Sequence, residues 1–237
     1  MQTYQDCLLC FERQAADACS MIGISAEDQQ RLMESVRTRI RSFPRDHSPV
    51  EMARDIHALV RRMAGDNDPY AEIKRDSNEA CRACLPALRT RLNNADNRFE
   101  TAVHLAIAGN VIDFGAYASS DCKLNDLAKM VDASLEQTLD GAAQLKMAVR
   151  QARRILYIGD NAGECYFDRF LLEELGDKDV TYAVRGQPVL NDATREDAEA
   201  AGIHTLCPMV DTGDCTPGIC LDHSSETFRS VFAESDL

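Results

Sequence analysis

The stretch ILYIGDNAGE at residues 155–164 decides the fold of this chain. It opens with four consecutive apolar residues, a pattern typical of a short strand buried on both faces, and Gly159 ends that strand. A segment with helical periodicity follows at about residues 163–175. The stretch therefore predicts a strand, a polar loop and a helix in succession, which is the repeating unit of an α/β fold.

The same order of elements recurs downstream. The apolar run VTYAV at residues 180–184 predicts a second strand, and residues 194–201 predict a second helix that Gly202 ends. We expect a third strand near Thr205 and Leu206. Strands that alternate with helices in this way are joined by right-handed crossovers and form a parallel sheet.

Upstream of this layer the sequence predicts one helix after another. The segment SPVE at residues 48–51 is a capping box with proline at the first helical position, so a helix should begin there. Amphipathic stretches predict further helices at about residues 26–40, 70–92 and 99–108. We therefore predict an α/β protein with a helical N-terminal domain at residues 1–150 and a Rossmann-like α/β/α layer with a mostly parallel sheet at residues 151–237.

The end of the chain is unusual for such a layer. A predicted helix at about residues 224–232 leads to Leu237, where the sequence stops although an α/β layer would add a further strand. A sheet limited to the strands predicted above would be thin. We therefore expect the α/β domain to be truncated at its C-terminus.

The composition restricts the partners and the location of the protein. The 237 residues carry a net charge of -13, which disfavours nucleic acid because the phosphate backbone would repel the chain. The sequence contains no apolar run of bilayer length, and its first residues lack the features of a signal peptide. We expect a cytoplasmic protein without a membrane partner, and the sequence leaves its oligomeric state open.

Polar residues follow both predicted strands. Asp160 and Asn161 come after the first strand, and Arg185 and Asp192 come after the second. Ligands of open α/β sheets bind beyond the carboxyl ends of the strands, so Asp160, Asn161 and Asp192 should converge there. These hard oxygen ligands suit Mg²⁺ or Mn²⁺, and so small a set leaves positions for water and a substrate oxygen. Each motif taken alone is also a common helix N-cap.

The same loops suggest roles for their other residues and argue against some cofactors. Glu164 is a candidate to orient an attacking water, and Arg185 is a candidate to bind a substrate phosphate. Gly163 opens a helix whose amide end could also hold a phosphate. Gly159 and Gly163 do not form the glycine pattern of a dinucleotide fold or a P-loop, which disfavours NAD and ATP. A covalent phosphorylated Asp160 remains an alternative to direct attack by water.

Several segments together resemble a known family. They are DCLLCFERQ at residues 6–14, NDPY at 67–70 with Lys74, AGNVIDF at 108–114, ILYIGDNAGE at 155–164 and PVLNDAT at 188–194. Their residues and order are similar to those of the damage-control phosphatases, whose fold is also called the acidic-residue-methyltransferase-like metal-binding domain. The first two segments resemble the shorter, CxxC-containing microbial branch of that family.

The resemblance implies a function and adds residues to the site. It implies a divalent metal (Mg²⁺, Mn²⁺, Co²⁺ or Ni²⁺) at Asp160, Asn161 and Asp192, and hydrolysis of phosphate monoesters of small metabolites such as sugar phosphates or damaged phosphometabolites. It also implies that Asn110 contacts the substrate and that Asp113 orients it. From the residues alone, Gly-Asn at 109–110 is only a helix C-cap. The family continues beyond the position of Leu237 with a lysine loop that is expected to hold the substrate phosphate.

Two other functions remain open at this stage. The first is S-adenosylmethionine-dependent carboxyl methyl transfer, an activity also proposed within the family, although the glycine spacing of a methyltransferase loop is absent. The second is a non-catalytic metal-binding or thiol-binding module built on the cysteines. Cys7 with Cys10 and Cys81 with Cys84 form CxxC pairs, and on helices each pair places two thiols on one face. Two packed helices could then assemble a structural Zn²⁺ site, with buried free thiols as the alternative.

Overall fold

The structure is a computed structural model that describes residues 3–65, 68–111, 132–133 and 137–237. Its longer helices are α1 Gln5–Ile22, α2 Ala26–Ser42, α3 Pro49–Ala64, α4 Ala71–Asn93, α5 Arg98–Val111, α6 Ala142–Gln151, α7 Cys165–Glu174, α8 Arg195–Ala200 and α9 Glu226–Glu234. Its strands are β1 Arg154–Ile158, β2 Asp179–Val184 and β3 Met209–Asp211. The predicted α/β class, with helices first and a strand–helix alternation afterwards, is confirmed.

The first three helices enclose a core of their own. Phe11 on α1, Leu32 on α2 and Ile56 on α3 are buried in it. The predicted capping box is present at the start of α3, where the Ser48 amide donates a hydrogen bond to Glu51 Oε2 at 2.9 Å. That bond holds the pKa of Glu51 down to about 2.

The three described strands form a parallel sheet in the order β1-β2-β3. Ile155 lies beside Val180, and Ala183 lies beside Val210. The parallel arrangement confirms the prediction from the strand–helix alternation.

The third strand lies further along the chain than we expected. Residues Ile203–Thr205 form a 3-10 turn, and β3 begins at Met209. The turn follows Gly202, whose φ of 79° belongs to the left-handed region that favours glycine, and it buries Ile203 in the core. The prediction of a strand near Thr205 and Leu206 was wrong. The apolar residue Ile203 is buried by this turn, and the strand begins four residues after the turn's last residue, at Met209.

The core of the α/β layer includes helices from the N-terminal half of the chain. Leu92 on α4 and Leu105 on α5 are buried together with Phe167 on α7 and Tyr182 on β2. Gly109 allows α5 to approach α7 closely, since a Cβ at this position would lie 2.8 Å from the Phe167 Cβ. Packing therefore crosses residue 150, and the division into domains at that residue stays a prediction.

The C-terminal residues are hydrogen-bonded to the first strand. The Leu156 amide donates a hydrogen bond to the Leu237 carbonyl at 2.8 Å, and the Asp236 amide donates one to the Arg154 carbonyl at 2.9 Å, so the last residues lie against β1.

Among the residues that the structure describes, helices long and apolar enough to cross a membrane are absent.

Candidate active site

The loops after β1 and β2 are joined by backbone hydrogen bonds. Ala193 donates its amide to the Asp160 carbonyl at 2.7 Å, and Ala162 donates its amide to the Asn191 carbonyl at 2.9 Å. Asn161 and Asp192 thereby form an antiparallel bridge. The predicted convergence of these loops at the carboxyl ends of the strands is thus present in the structure.

Arg185 lies between the two acidic residues of the site. Its Nε donates to Asp192 Oδ2 at 2.6 Å, and its Nη2 donates to Asp160 Oδ1 at 3.2 Å. Its Nη1 lies 3.4 Å from the Gly159 carbonyl. The Arg185 side chain is only 2% exposed, whereas that of Asp160 is 49% exposed. This placement does not support the predicted contact of Arg185 with a substrate phosphate. Instead, the buried guanidinium forms ion pairs with both carboxylates.

The electrostatic environment of Asp192 reflects its burial. Burial raises the pKa of Asp192 to about 6, even though the Arg185 guanidinium favours the charged form. A backbone hydrogen bond from Gly218, in the loop after β3, also favours the charged form. Three loops of the α/β layer therefore contribute to the surroundings of this carboxylate.

Asn110 enters the site from the last turn of α5. Its Nδ2 lies 3.0 Å from Asp160 Oδ2 and 3.0 Å from Glu164 Oε2. Helix α5 continues to Val111, so Gly109 and Asn110 are not its C-cap. Asn110 therefore lies at the site, its contact with a substrate stays a prediction, and Asp113 lies outside the described residues.

Glu164 and Asn161 form further hydrogen bonds at the site. Glu164 is buried and accepts hydrogen bonds from the Asn161 amide at 3.2 Å and from Asn161 Nδ2 at 3.1 Å. Burial raises the pKa of Glu164 above its ordinary value, although its bond from Asn110 favours the charged form. Asn161 Oδ1 accepts a hydrogen bond from Asn191 Nδ2 at 2.9 Å. In this arrangement Asn161 turns its amide nitrogen, and not its oxygen, toward the carboxylates.

Comparisons with known proteins decide the family. The model of the damage-control phosphatase ARMT1-like domain matches residues 3–237. The chain belongs to the damage-control phosphatase ARMT1-like family.

Individual proteins are also similar to this family member over most of its length. The chain is 35% identical to the uncharacterized protein MJ0202 of Methanocaldococcus jannaschii, over 98% of this chain and 78% of that protein. It is 31% identical to the damage-control phosphatase PH1575 of Pyrococcus horikoshii, over 100% of this chain and 82% of the relative. A crystal structure of PH1575, described as a DUF89 family protein, matches with a TM-score of 0.90 and 30% identity over 100% of this chain and 83% of that one.

The donor set of this family member is compatible with a divalent metal. Asp160 and Asp192 bring two carboxylates to one guanidinium, so both lie at the same point of the sheet edge. Carboxylate oxygens are the ligands that Mg²⁺ and Mn²⁺ prefer. The exposed side chain of Asp160 makes the position accessible to a ligand from solvent.

A buried network beneath the site was missed by sequence reasoning. Asp168 on α7 accepts hydrogen bonds from the Tyr157 and Tyr182 hydroxyls, both at 2.6 Å. Burial raises the pKa of Asp168 well above its usual value. A Cβ at Gly159 would lie 2.2 Å from the Tyr182 hydroxyl, which explains glycine immediately before Asp160. An acidic residue on the apolar face of a predicted helix was the available signal.

Gly163 and the CxxC pairs have structural surroundings. A Cβ at Gly163 would lie 2.8 Å from Cys81 Sγ, so this glycine lets the site loop pack against α4. The structure does not bring the four thiols together. Cys81 and Cys84 belong to the core around α4, α5 and α7, whereas Cys7 packs with α1–α3 and Cys10 lies exposed beside it on α1. The placement of these helices in separate cores therefore does not support a joint zinc site.

Proposed function

We propose that this chain is a divalent-metal-dependent phosphatase that hydrolyses phosphate monoesters of small metabolites, including sugar phosphates and damaged phosphometabolites. One observation carries the proposal: Asp160 and Asp192 meet at the Arg185 guanidinium, at the carboxyl ends of β1 and β2. Membership of the damage-control phosphatase family and the relatives named as damage-control phosphatases support the reaction type.

In this proposal the acidic residues hold the metal. Asp160, Asn161 and Asp192 would hold Mg²⁺, Mn²⁺, Co²⁺ or Ni²⁺, which would supply Lewis acidity and activate a water. Asp160 and Asp192 already present carboxylate oxygens, whereas Asn161 needs its side-chain amide turned over to present its oxygen. Arg185 acts as a positioning residue, because it fixes both carboxylates while it lies out of reach of solvent.

Two neighbouring side chains provide contacts for the substrate. Asn110 is exposed at the site and lies within hydrogen-bond distance of Asp160, so its amide can donate to a phosphate oxygen. Glu164 is buried next to Asn110, and its raised pKa makes it suited to exchange a proton with the attacking water. Hydrogen bonds that stabilise charge as it spreads over the phosphoryl oxygens lower the barrier.

The test is phosphate release from a panel of sugar phosphates and p-nitrophenyl phosphate with each of the four metals. The protein should release phosphate only with metal, and Asp160→Asn should reduce kcat by about a thousandfold, since metal ligation supplies several kcal/mol of transition-state stabilisation. Asp177→Asn, an exposed residue before β2, is the matched control and should retain full activity.

The outcome separates the alternatives. Wild-type protein that releases no phosphate with any of the metals would overturn the proposal. Calorimetric binding of S-adenosylmethionine by that inactive protein would favour the methyltransferase alternative. Trapping of an acid-labile phosphorylated protein would replace direct attack by water with a phosphorylated Asp160.

A further inference from the structure

A second cluster of potential metal ligands lies away from the strand ends. Glu51, Cys220 and His223 place one ligand atom each within 4.8 Å of one another. Glu51 is in the first turn of α3, whereas Cys220 and His223 are in the loop between β3 and α9. The cluster therefore joins a helix of the N-terminal half to a loop of the α/β layer.

The spacing of two of the cluster's ligand atoms is compatible with metal coordination. His223 Nε2 lies 3.3 Å from Glu51 Oε1. A strong hydrogen bond between a charged imidazole and a carboxylate is shorter, about 2.7–2.9 Å. Tetrahedral zinc with bonds of about 2.0–2.2 Å to nitrogen and oxygen separates these two atoms by about 3.4 Å. The observed spacing thus corresponds to the edge of such a tetrahedron.

The carboxylate of Glu51 is divided between two tasks. Its Oε2 accepts the hydrogen bonds from Ser48 that cap α3, both at 2.9 Å. Its Oε1 faces His223 and also His47, whose Nδ1 lies 3.3 Å from this oxygen. The capping bonds fix the orientation of the carboxylate, so Oε1 is held toward the cluster before any ion binds.

The loop places Cys220 and His223 on one turn. His223 donates its amide to the Cys220 carbonyl at 3.0 Å, and Ser224 donates its hydroxyl to the same carbonyl at 2.9 Å. Ligands three residues apart on a tight turn are a usual way to present two donors to one ion. All three residues of the cluster are half-buried, which limits water without closing the access of an ion.

We propose that Glu51, Cys220 and His223 form a Zn²⁺ site that clasps the loop after β3 to the N-terminus of α3. Sulfur, imidazole nitrogen and a carboxylate oxygen together suit Zn²⁺ and are a poor set for Mg²⁺ or Mn²⁺. Zinc binds the Cys220 thiolate, so the thiol proton passes to solvent on binding. The fourth position is filled by water or by His47. The clasped loop is the one whose Gly218 backbone bonds to Asp192.

The experiment uses the full chain in an Asp160→Ala background, so that the strand-end site loses its exposed carboxylate ligand and the result does not depend on phosphatase activity. Zinc retained after gel filtration is measured, together with the melting temperature and the thiolate-to-metal absorption of the Co²⁺ form. One equivalent of Zn²⁺ should remain bound. Free Zn²⁺ at a hundred times its dissociation constant should raise Tm by about 5–10 °C.

Variants decide whether the cluster is responsible. Cys220→Ser and His223→Gln should each lose the bound zinc and the Tm rise, and Cys220→Ser should also lose the thiolate absorption. Cys207→Ser and His204→Gln alter the same residue types away from the cluster and should behave as the parent protein. Zinc retained by both cluster variants, or lost only on Cys7→Ser, would overturn the proposal, as would a parent protein that binds no zinc.

Discussion

The strand-end site and the Glu51–Cys220–His223 cluster balance acidic groups in different ways. At the strand ends a buried Arg185 contacts both Asp160 and Asp192, so a fixed cation compensates two carboxylates. In the cluster a single carboxylate faces neutral or titratable donors that are half-buried. In the first arrangement a buried arginine fixes the carboxylates of the proposed metal site, whereas in the second the bonds from Ser48 that cap α3 fix the carboxylate. The difference teaches that acidic residues indicate a metal site only together with the partners that surround them.

The largest expected effect comes from removing the internal cation. Arg185→Met should lower the free energy of unfolding by about 3–5 kcal/mol, because two carboxylates, one of them buried, lose their partner. Denaturant unfolding without metal measures it. Arg195→Met removes an exposed arginine that pairs with Asp211 at the surface and should cost less than about 1 kcal/mol. Equal losses in the two variants would show that the strand-end site does not depend on Arg185.

A buried histidine should make stability depend on pH. His57 is enclosed in the core of α1–α3, bonds Tyr70 and has a pKa lowered by burial to about 4. The unfolded chain takes up this proton near pH 6.5, so the contribution of neutral His57 is complete above that pH and is lost as the pH falls toward 4.

The comparison of wild type with His57→Gln isolates this contribution. The difference in unfolding free energy between the two should decrease by about 3 kcal/mol from pH 7 to pH 4. His204→Gln, at an exposed position, is the control for replacing a histidine outside this core. A difference for His57→Gln that does not change with pH would mean that folding leaves the pKa of His57 at its unfolded value.

The close packing beneath the strand-end loop predicts a moderate steric effect. Gly163→Ala should cost about 1–3 kcal/mol, because the added Cβ would meet Cys81 Sγ and displace the loop that carries Asp160. Gly141→Ala is the matched control, since a Cβ there meets nothing within 4 Å. Thermal unfolding of both variants measures the effect. An unchanged stability of Gly163→Ala would show that α4 moves away from the added Cβ at no cost in free energy.

The smallest effect separates the two tasks of Glu51. Glu51→Gln keeps a capping side chain and should lower zinc-free stability less than Glu51→Ala, which loses the cap and should cost about 1 kcal/mol or more. Both variants should lose the zinc-dependent rise in Tm. Retention of that rise in Glu51→Gln would remove the carboxylate from the proposed ligand set.

Local patterns predicted the elements of the fold well. The apolar runs at residues 155–158 and 180–184 became β1 and β2, and the capping box at residues 48–51 became the start of α3. Such patterns depend on near neighbours in sequence, so they can be read without the fold. The position of β3 could not be read, because the turn after Gly202 buries Ile203 only through contacts made by the folded core.

The sequence by itself determined that Asp160, Asn161 and Asp192 would meet, because residues after neighbouring parallel strands share one edge of the sheet. Only the tertiary structure decided what surrounds them. Arg185 is buried between the two carboxylates, and Asn110 reaches the site from α5. Asp168 is buried nearby with its hydrogen-bond donors Tyr157 and Tyr182. It also decided that Glu51 meets Cys220 and His223, although HxxxE at residues 47–51 and CxxH at 220–223 were visible signals. These contacts join segments far apart in the chain, and their side-chain directions follow from packing rather than from local propensity.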